Sequence, residues 1–186
     1  VCVDGKPVGN RQEEIILAVN KPRGVVCTTD RRWSDPVLED LVDGPQRVFS
    51  AGRLDKNSEG LILMTSDGEA ANRIQKARGY HEKEYQVTVD RPVTDRLIKD
   101  LRAGVYLPEL KVRTRECRAE QTGEKSLTIV LTQGLNRQIR RMCKALGYQV
   151  LSLKRVRVMN VTLGDLAPGK YRELTEREEE ELRAEL

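Results

Sequence analysis

The stretch Ala51-Gly52-Arg53-Leu54-Asp55-Lys56-Asn57-Ser58-Glu59-Gly60-Leu61-Ile62-Leu63-Met64-Thr65 passes from a polar, Gly-led turn directly into an apolar run. Gly with Asp, Asn and Ser marks the turn, and Leu61 to Thr65 is short enough to be one buried strand. A single carboxylate, Asp55, therefore sits in a tight loop seated on a rigid element, a common position for reactive groups. A turn-forming or capping aspartate would give the same pattern, and spacing alone does not identify a nucleophile.

Working outward, Ser66 and Glu69 have capping-box spacing and open a helix whose buried face is Ala70, Ile74 and Ala77. Upstream, Ile15 to Asn20 is an apolar strand closed by Lys21-Pro22, and Gly24 to Thr28 reads as a second strand after a Pro-fixed bend. The polar stretch from Arg31 to Gln46 reads as irregular. Downstream, Tyr85, Val87 and Val89 alternate with polar residues as a half-buried strand does, and Thr94 caps a helix carrying Leu97, Ile98 and Leu101 that Gly104 ends. Leu127, Ile129 and Leu131 give another alternating strand, followed by a helix from near Asn136 to Gly147. Val150 to Val158 is a further strand, and Thr175 with Glu178 is a capping box for a charged terminal helix. Strands mixed with helices and hairpins in this order predict an α+β domain.

The chain has 186 residues, enough for one sizeable domain or two small subdomains, and only 4% of them are aromatic, so Leu, Val and Ile must build the core. The net charge of +4 understates how unevenly charge is placed. From Lys125 to Gly164 there is no acidic residue, while Lys125, Arg137, Arg140, Arg141, Lys144, Lys154, Arg155 and Arg157 are cationic; Glu173 to Glu185 reverses the sign. On the helix after Asn136, Ile139, Met142, Cys143 and Leu146 share one face, and Arg137, Arg140, Arg141 and Lys144 share the other. Such a block favours a polyanion partner, because each cation that meets a phosphate releases counterions. An ordinary solvated face would interleave acids with the bases.

Cys2, Cys27, Cys117 and Cys143 are scattered and His81 is the lone histidine, so a zinc site lacks ligands and spacing, and a disulfide framework is equally unsupported. No apolar run is long enough for a signal peptide or membrane span, which leads to the expectation of a cytoplasmic protein without a membrane or metal partner. A zinc deaminase has no ligand set here, and a methyltransferase has no Gly-rich cofactor loop after its first strand. Val1 to Val8, with an Asp4-Gly5 turn signal, reads as the tail of a hairpin and suggests a preceding module.

Gly52-Arg53-Leu54-Asp55, Ser58-Glu59-Gly60-Leu61 and Thr65-Ser66-Asp67-Gly68 resemble the signature of the RsuA/RluB/RluE/RluF group of pseudouridine synthases. Three further blocks agree in order. Asn20-Lys21-Pro22 is similar to the group's opening strand, Lys83-Glu84-Tyr85 to the strand bearing its active-site tyrosine, and Gly134-Leu135-Asn136-Arg137-Gln138-Ile139-Arg140-Arg141-Met142 to its basic helix. His81 to Tyr85, Thr132 to Asn136 and Val158 to Val161 are most similar to the RluF branch.

The resemblance implies the pseudouridine synthase catalytic fold: a mixed, mostly antiparallel sheet flanked by helices, with a central RNA-binding cleft. It implies that residues 1–10 are the tail of an N-terminal S4-type RNA-binding domain, and that 11–186 form the catalytic domain, with two subdomains around the cleft. The implied activity is isomerisation of a specific uridine in 23S ribosomal RNA, with a transfer RNA anticodon stem-loop or small-subunit ribosomal RNA as alternatives; the rival reading is a non-catalytic RNA-binding module, for which the basic helix suffices and Asp55 is a turn residue. The isomerisation needs no cofactor and no metal, and a monomer is the default. Asp55 takes the catalytic carboxylate's place. Arg140 takes that of the arginine that pairs with it, although a phosphate contact would suit the same basic helix. Tyr85 takes that of the tyrosine stacking on uracil, although its strand pattern would equally make it a core residue. Reaching a stacked base requires extruding it at a cost of roughly a few kcal/mol. Arg137, Arg141, Lys144, Arg155 and Arg157 are the expected phosphate contacts, and Arg53 is expected to fill the space a flipped nucleotide vacates.

Overall fold

The computed structural model describes residues 2–3, 6–7, 13–32 and 34–186. A two-residue pair, β1 (Cys2–Val3) and β2 (Lys6–Pro7), is antiparallel; the expected Asp4-Gly5 turn lies outside the described residues. The chain continues through β3 (Ile16–Lys21), β4 (Phe49–Ser50), β5 (Glu59–Thr65), α1 (Gly68–Gln75), β6 (Lys83–Val89) and α2 (Asp95–Arg102). Then follow β7 (Tyr106–Leu107), β8 (Val112–Arg113), β9 (Arg118–Gly123), β10 (Ser126–Leu131), α3 (Gln138–Ala145), β11 (Val150–Val158), β12 (Val161–Thr162), β13 (Tyr171–Glu173) and α4 (Glu176–Ala184).

The main sheet runs β13-β3-β5-β11-β6-β10-β9, with β4 added to β5 and β12 to β11. Its pairings are antiparallel except one, the parallel contact between β5 and β11 at Lys154↔Glu59 and Arg155↔Gly60. That seam joins two halves that differ in burial. β3 and β5 are covered on both faces. Leu17, Val19, Ile62 and Met64 enter one core, and Ile16, Ala18, Leu61 and Leu63 enter another beneath α1 and α4. Strands covered on both faces read as continuous apolar runs, which is why these two were legible as such. β6 and β10 bury one face only, through Tyr85, Val87, Val89, Leu127, Ile129 and Leu131.

Gly60 is required at the seam. Its φ is +110°, and a Cβ there would overlap the Arg155 carbonyl oxygen and lie 2.7 Å from the Arg155 nitrogen. Only glycine combines that dihedral with so close a backbone approach.

Three local expectations are corrected. Gly24 to Thr28 does not form a second strand; it contributes one parallel bridge, Val26 with Val37. Its backbone is engaged elsewhere, with the Gly24 amide on Lys56 O at 2.8 Å and the Val25 carbonyl on the Lys21 ammonium at 2.7 Å. The cap of α1 is Asp67, whose Oδ1 accepts from the Glu69 and Ala70 amides at 2.9 and 3.0 Å, while the Ser66 hydroxyl accepts from the Ile15 amide. The helix therefore starts one residue late and buries Ala70, Ala71 and Ile74; the Ala77 side chain lies outside the described residues. Within 31–46, one 3-10 turn forms at Leu38–Leu41.

The terminal capping box is present: the Thr175 hydroxyl accepts from the Glu178 amide, and the Glu178 carboxylate accepts from the Thr175 amide. Glu178 also accepts from both terminal nitrogens of Arg172 at 2.7 and 2.9 Å, which ties α4 to β13. The Arg172 hydrogen bond is the main cause that draws its carboxyl pKa down to about 2.

Gly60→Ala should lower stability by about 2–4 kcal/mol through combined dihedral strain and backbone overlap, measurable by urea unfolding. A depressed folded-state pKa at Glu178 gives stability that is complete above its ordinary value and lost as pH falls. Stability should therefore decline between about pH 4.5 and 2 by an amount that Glu178→Gln abolishes, as read from unfolding midpoints across that range.

Candidate active site

The turn ahead of β5 is held by the protein's own groups. Gly52 has φ of +106°, and the Ser58 amide closes a turn on the Asp55 carbonyl at 2.9 Å. Beneath it lies Lys21, fully buried at the end of β3, whose ammonium donates to Val25 O at 2.7 Å, Pro22 O at 3.0 Å and Lys56 O at 3.4 Å. One cation thus pins the 22–25 bend against the turn that carries Asp55. Burial lowers the Lys21 pKa, and nearby Cys27, Asp55 and Glu59 oppose that shift. From the other side the Arg140 guanidinium, on α3, donates from Nη2 to Asn57 O and to the buried Ser58 hydroxyl, both at 3.2 Å.

Above the turn opens a cavity of about 480 Å³, within the range of small-ligand sites. Among the described residues that line it, Asp55 is the only acidic one; Arg53, Lys56, Lys83, Arg137 and Arg155 supply positive charge. Cys27, Leu131, Leu135, Ile139 and Leu153 give apolar walls, and Tyr85, only 9% exposed, closes one side. Flat apolar surface next to a few convergent polar groups is what a planar polar ring needs.

The partner of Asp55 differs from expectation. Arg137 Nη1 lies 3.5 Å from Asp55 Oδ2, whereas Arg140 is beyond ion-pair distance of Asp55 and grips the turn's backbone instead. The cause is the start of α3. Arg137 precedes the helix with φ of +50°, which swings its side chain out over the cavity while Arg140 sits one turn further in. Arg140 Nε is buried without a hydrogen-bond partner. Burial, then repulsion by Arg137, lowers the Arg140 pKa, with Asp55 acting in the opposite direction. Asp55 and Tyr85 line one cavity, and Arg140 braces its floor.

Two expected phosphate contacts are also placed differently. A bulge in β11 between Arg155 and Arg157 sends these arginines, which alternation would put on one side, to opposite faces. Arg155 is 3% exposed and donates from Nε to Leu61 O at 2.7 Å across the seam. Arg157 turns to the reverse face and pairs with Glu84 at 2.9 Å and Glu82 at 3.0 Å, and Glu82 also holds Arg118 at 2.9 Å. On α3, Arg141 and Lys144 share Glu109 at 3.8 and 3.9 Å, and Arg141 donates to Asn136 O and Oδ1 at 2.9 Å. The stretch without acids in sequence is thus partly neutralised in space by acids from β6 and the loop after β7. Arg53 and Arg137 remain exposed at the cavity mouth.

Sequence reasoning passed over Lys83 as a site residue. It stands two residues before Tyr85, so the two-residue period of a strand puts both on the cavity side, and that signal was available. Burial, and then the neighbouring Arg155, draw its pKa down to about 8. A second feature it missed is the exposed Tyr80, on which the Arg115 guanidinium stacks at 4.2 Å while donating to Thr132 O at the cavity rim. Among the described residues, no group of three His, Cys, Asp or Glu is arranged to hold a metal, and no helix is long and apolar enough to cross a membrane.

Arg140→Ala should cost about 1–3 kcal/mol in urea unfolding, because the Ser58 hydroxyl and Asn57 carbonyl lose a charged donor in a part-buried site.

Comparison with known proteins agrees with this geometry. The RNA pseudouridylate synthase family profile matches residues 15–145. The dual-specificity RNA pseudouridine synthase RluF of Shigella flexneri is 45% identical over 180 residues, covering 96% of this chain and 61% of that protein. The ribosomal small subunit pseudouridine synthase A of Escherichia coli is 38% identical over 181 residues, covering 96% and 78%. A crystal structure of a pseudouridylate synthase superposes with a TM-score of 0.86 at 34% identity, covering 91% of this chain and 74% of that one. The chain spans about three fifths of the length of the RluF relative, and its match to the family profile includes the Asp55 turn, the Tyr85 strand and all of α3. By sequence profile, by identity to these relatives and by fold, the chain belongs to the RNA pseudouridylate synthase family.

Proposed function

We propose that this chain isomerises uridine to pseudouridine within folded RNA, and that Asp55 is the carboxylate that carries the reaction. The observation that supports this most directly is the one acid among the described residues of the cavity, paired with Arg137 and sharing that cavity with the buried Tyr85. The reaction is an internal rearrangement. The bond from the ribose C1′ to N1 breaks, the ring turns, a bond from C1′ to C5 forms, and the C5 proton leaves as N1 gains one. No outside reductant, oxidant or group donor enters the balance. A cavity for it needs one group able to act as nucleophile or base on the sugar or ring, a wall on which the ring can turn, and cations that hold the flanking backbone.

Each part has a candidate here. Asp55 is held by a turn that Lys21 and Arg140 brace from two sides, so its placement does not depend on substrate. Arg137 stands beside it as an ion-pair partner, Nη1 to Oδ2 at 3.5 Å. Tyr85 and the leucines around it offer a surface for stacking, which offsets part of the cost of extruding the base. Arg53 and Arg137 take the phosphate contacts at the mouth, with Arg141 and Lys144 beyond them on α3. Arg155 and Arg157 are assigned instead to the seam and to the reverse-face ion pairs.

For substrate, identity of 45% to a dual-specificity synthase supports a uridine in 23S ribosomal RNA as the target, with a transfer RNA anticodon stem-loop as a second one. The 38% identity to a small-subunit enzyme makes small-subunit ribosomal RNA the alternative.

Asp55→Asn should reduce pseudouridine formation by at least about 10³-fold in ribosomal and transfer RNA fragments, read by base-resolved mapping, while leaving RNA affinity within about threefold. Turnover that survives this change would overturn the assignment of Asp55.

A further inference from the structure

The cavity holds a cation that the protein itself does not neutralise. The side chain of Lys83, at the start of β6, makes no hydrogen bond or ion pair among the described residues, although the residue is half-buried and lines the same cavity as Asp55 and Tyr85. Among the described residues, the ionisable groups of the cavity are these together with Cys27. β11 brings Arg155, a second cation whose charge opposes that of Lys83. The turn before β5 brings Arg53, Lys56 and Asp55, and the start of α3 brings Arg137, which is engaged with Asp55. Its own strand brings Tyr85 on the same face, whereas Glu84 points to the reverse face and pairs with Arg157. β10 faces it across the sheet with Leu131.

Half-burying an ammonium beside a guanidinium with no acid in contact is unfavourable for the protein alone, and a ligand that brings an acceptor oxygen to it would offset that cost. The location narrows which part of a ligand that is. Arg53 and Arg137 are exposed at the mouth, where the backbone of an RNA would pass. Lys83 is further in, on the strand that carries Tyr85 and next to the buried Arg155.

Resting on the reading given under Proposed function, we propose that Lys83 is a catalytic residue that donates a hydrogen bond from its ammonium to an oxygen of the extruded uracil. When the bond from C1′ to N1 opens, its electron pair stays with the ring and spreads onto O2 and O4. A charged donor there stabilises the detached base without transferring a proton. Its ammonium must be protonated for this purpose. A group whose pKa is drawn down to about 8 supplies that charge below this pH and loses it above.

The test compares wild type, Lys83→Met and Lys83→Arg in single-turnover pseudouridine formation and in RNA affinity, from about pH 6.5 to 9.5, a range chosen to bracket the lysine's lowered value. Expected is a fall in the rate of on the order of tenfold to a hundredfold for Lys83→Met at neutral pH, with RNA affinity unchanged. The wild-type rate should decline above about pH 8, and Lys83→Arg should hold its rate to higher pH. A loss confined to RNA affinity would overturn the uracil assignment and move the contact to a phosphate. A Lys83→Met rate within about threefold of wild type, or an alkaline limb unmoved in Lys83→Arg, would overturn the proposal altogether. Urea unfolding midpoints report whether each variant is folded; should Lys83→Met not fold, the alkaline limb of Lys83→Arg decides alone. Absence of any activity in wild type, in contrast, would count against the functional reading itself.

Discussion

The architecture depends on one parallel contact in an otherwise antiparallel sheet, the seam where Gly60 of β5 meets Arg155 of β11. Antiparallel neighbours can be joined by short turns, but a parallel pair needs a long crossover, and the residues paired here, Glu59 with Lys154 and Gly60 with Arg155, are 95 apart by their numbers. Two features hold the seam. Gly60 admits the β11 backbone, and the Arg155 side chain reaches across to the Leu61 carbonyl at 2.7 Å. Everything that lines the cavity hangs from those two strands and their neighbours: the Asp55 turn enters β5, Tyr85 and Lys83 lie on β6 beside β11, and α3 leads into β11.

The elements were legible in the sequence to the extent that their own residues decided them. Alternation placed β6 and β10, Thr94 and Thr175 sealed their helices, and Leu61 to Thr65 read as a buried strand because it is covered from both sides. The errors fell where distant groups intervened. Val26 could not build a strand because Lys56 and Lys21 had taken backbone groups of Gly24 and Val25, just before it. Asp67 displaced Ser66 as the cap because the Ser66 hydroxyl was engaged by Ile15.

For the site, Asp55 and Tyr85 were identifiable only through resemblance to a family, since a turn aspartate and an inward-facing tyrosine are ordinary by pattern. The exchange of roles between Arg137 and Arg140 was not readable, because both lie on the polar side of a helix whose register against the Asp55 turn is fixed by tertiary packing. Nor could Arg155 and Arg157 be separated. A single bulged residue decides which face each takes, and no residue in that strand signals it.

That bulge also shapes the field of the whole molecule. By turning Arg157 away from the cavity it joins Glu82, Glu84 and Arg118 in a compact patch whose charges cancel on the far side of the sheet. Around the cavity Arg53, Lys83 and Arg155 have no ion pair among the described residues, so a polyanion meets more unpaired positive charge there than at that neutral patch. The reversal of one side chain in the middle of a strand thus gives the molecule a front and a back.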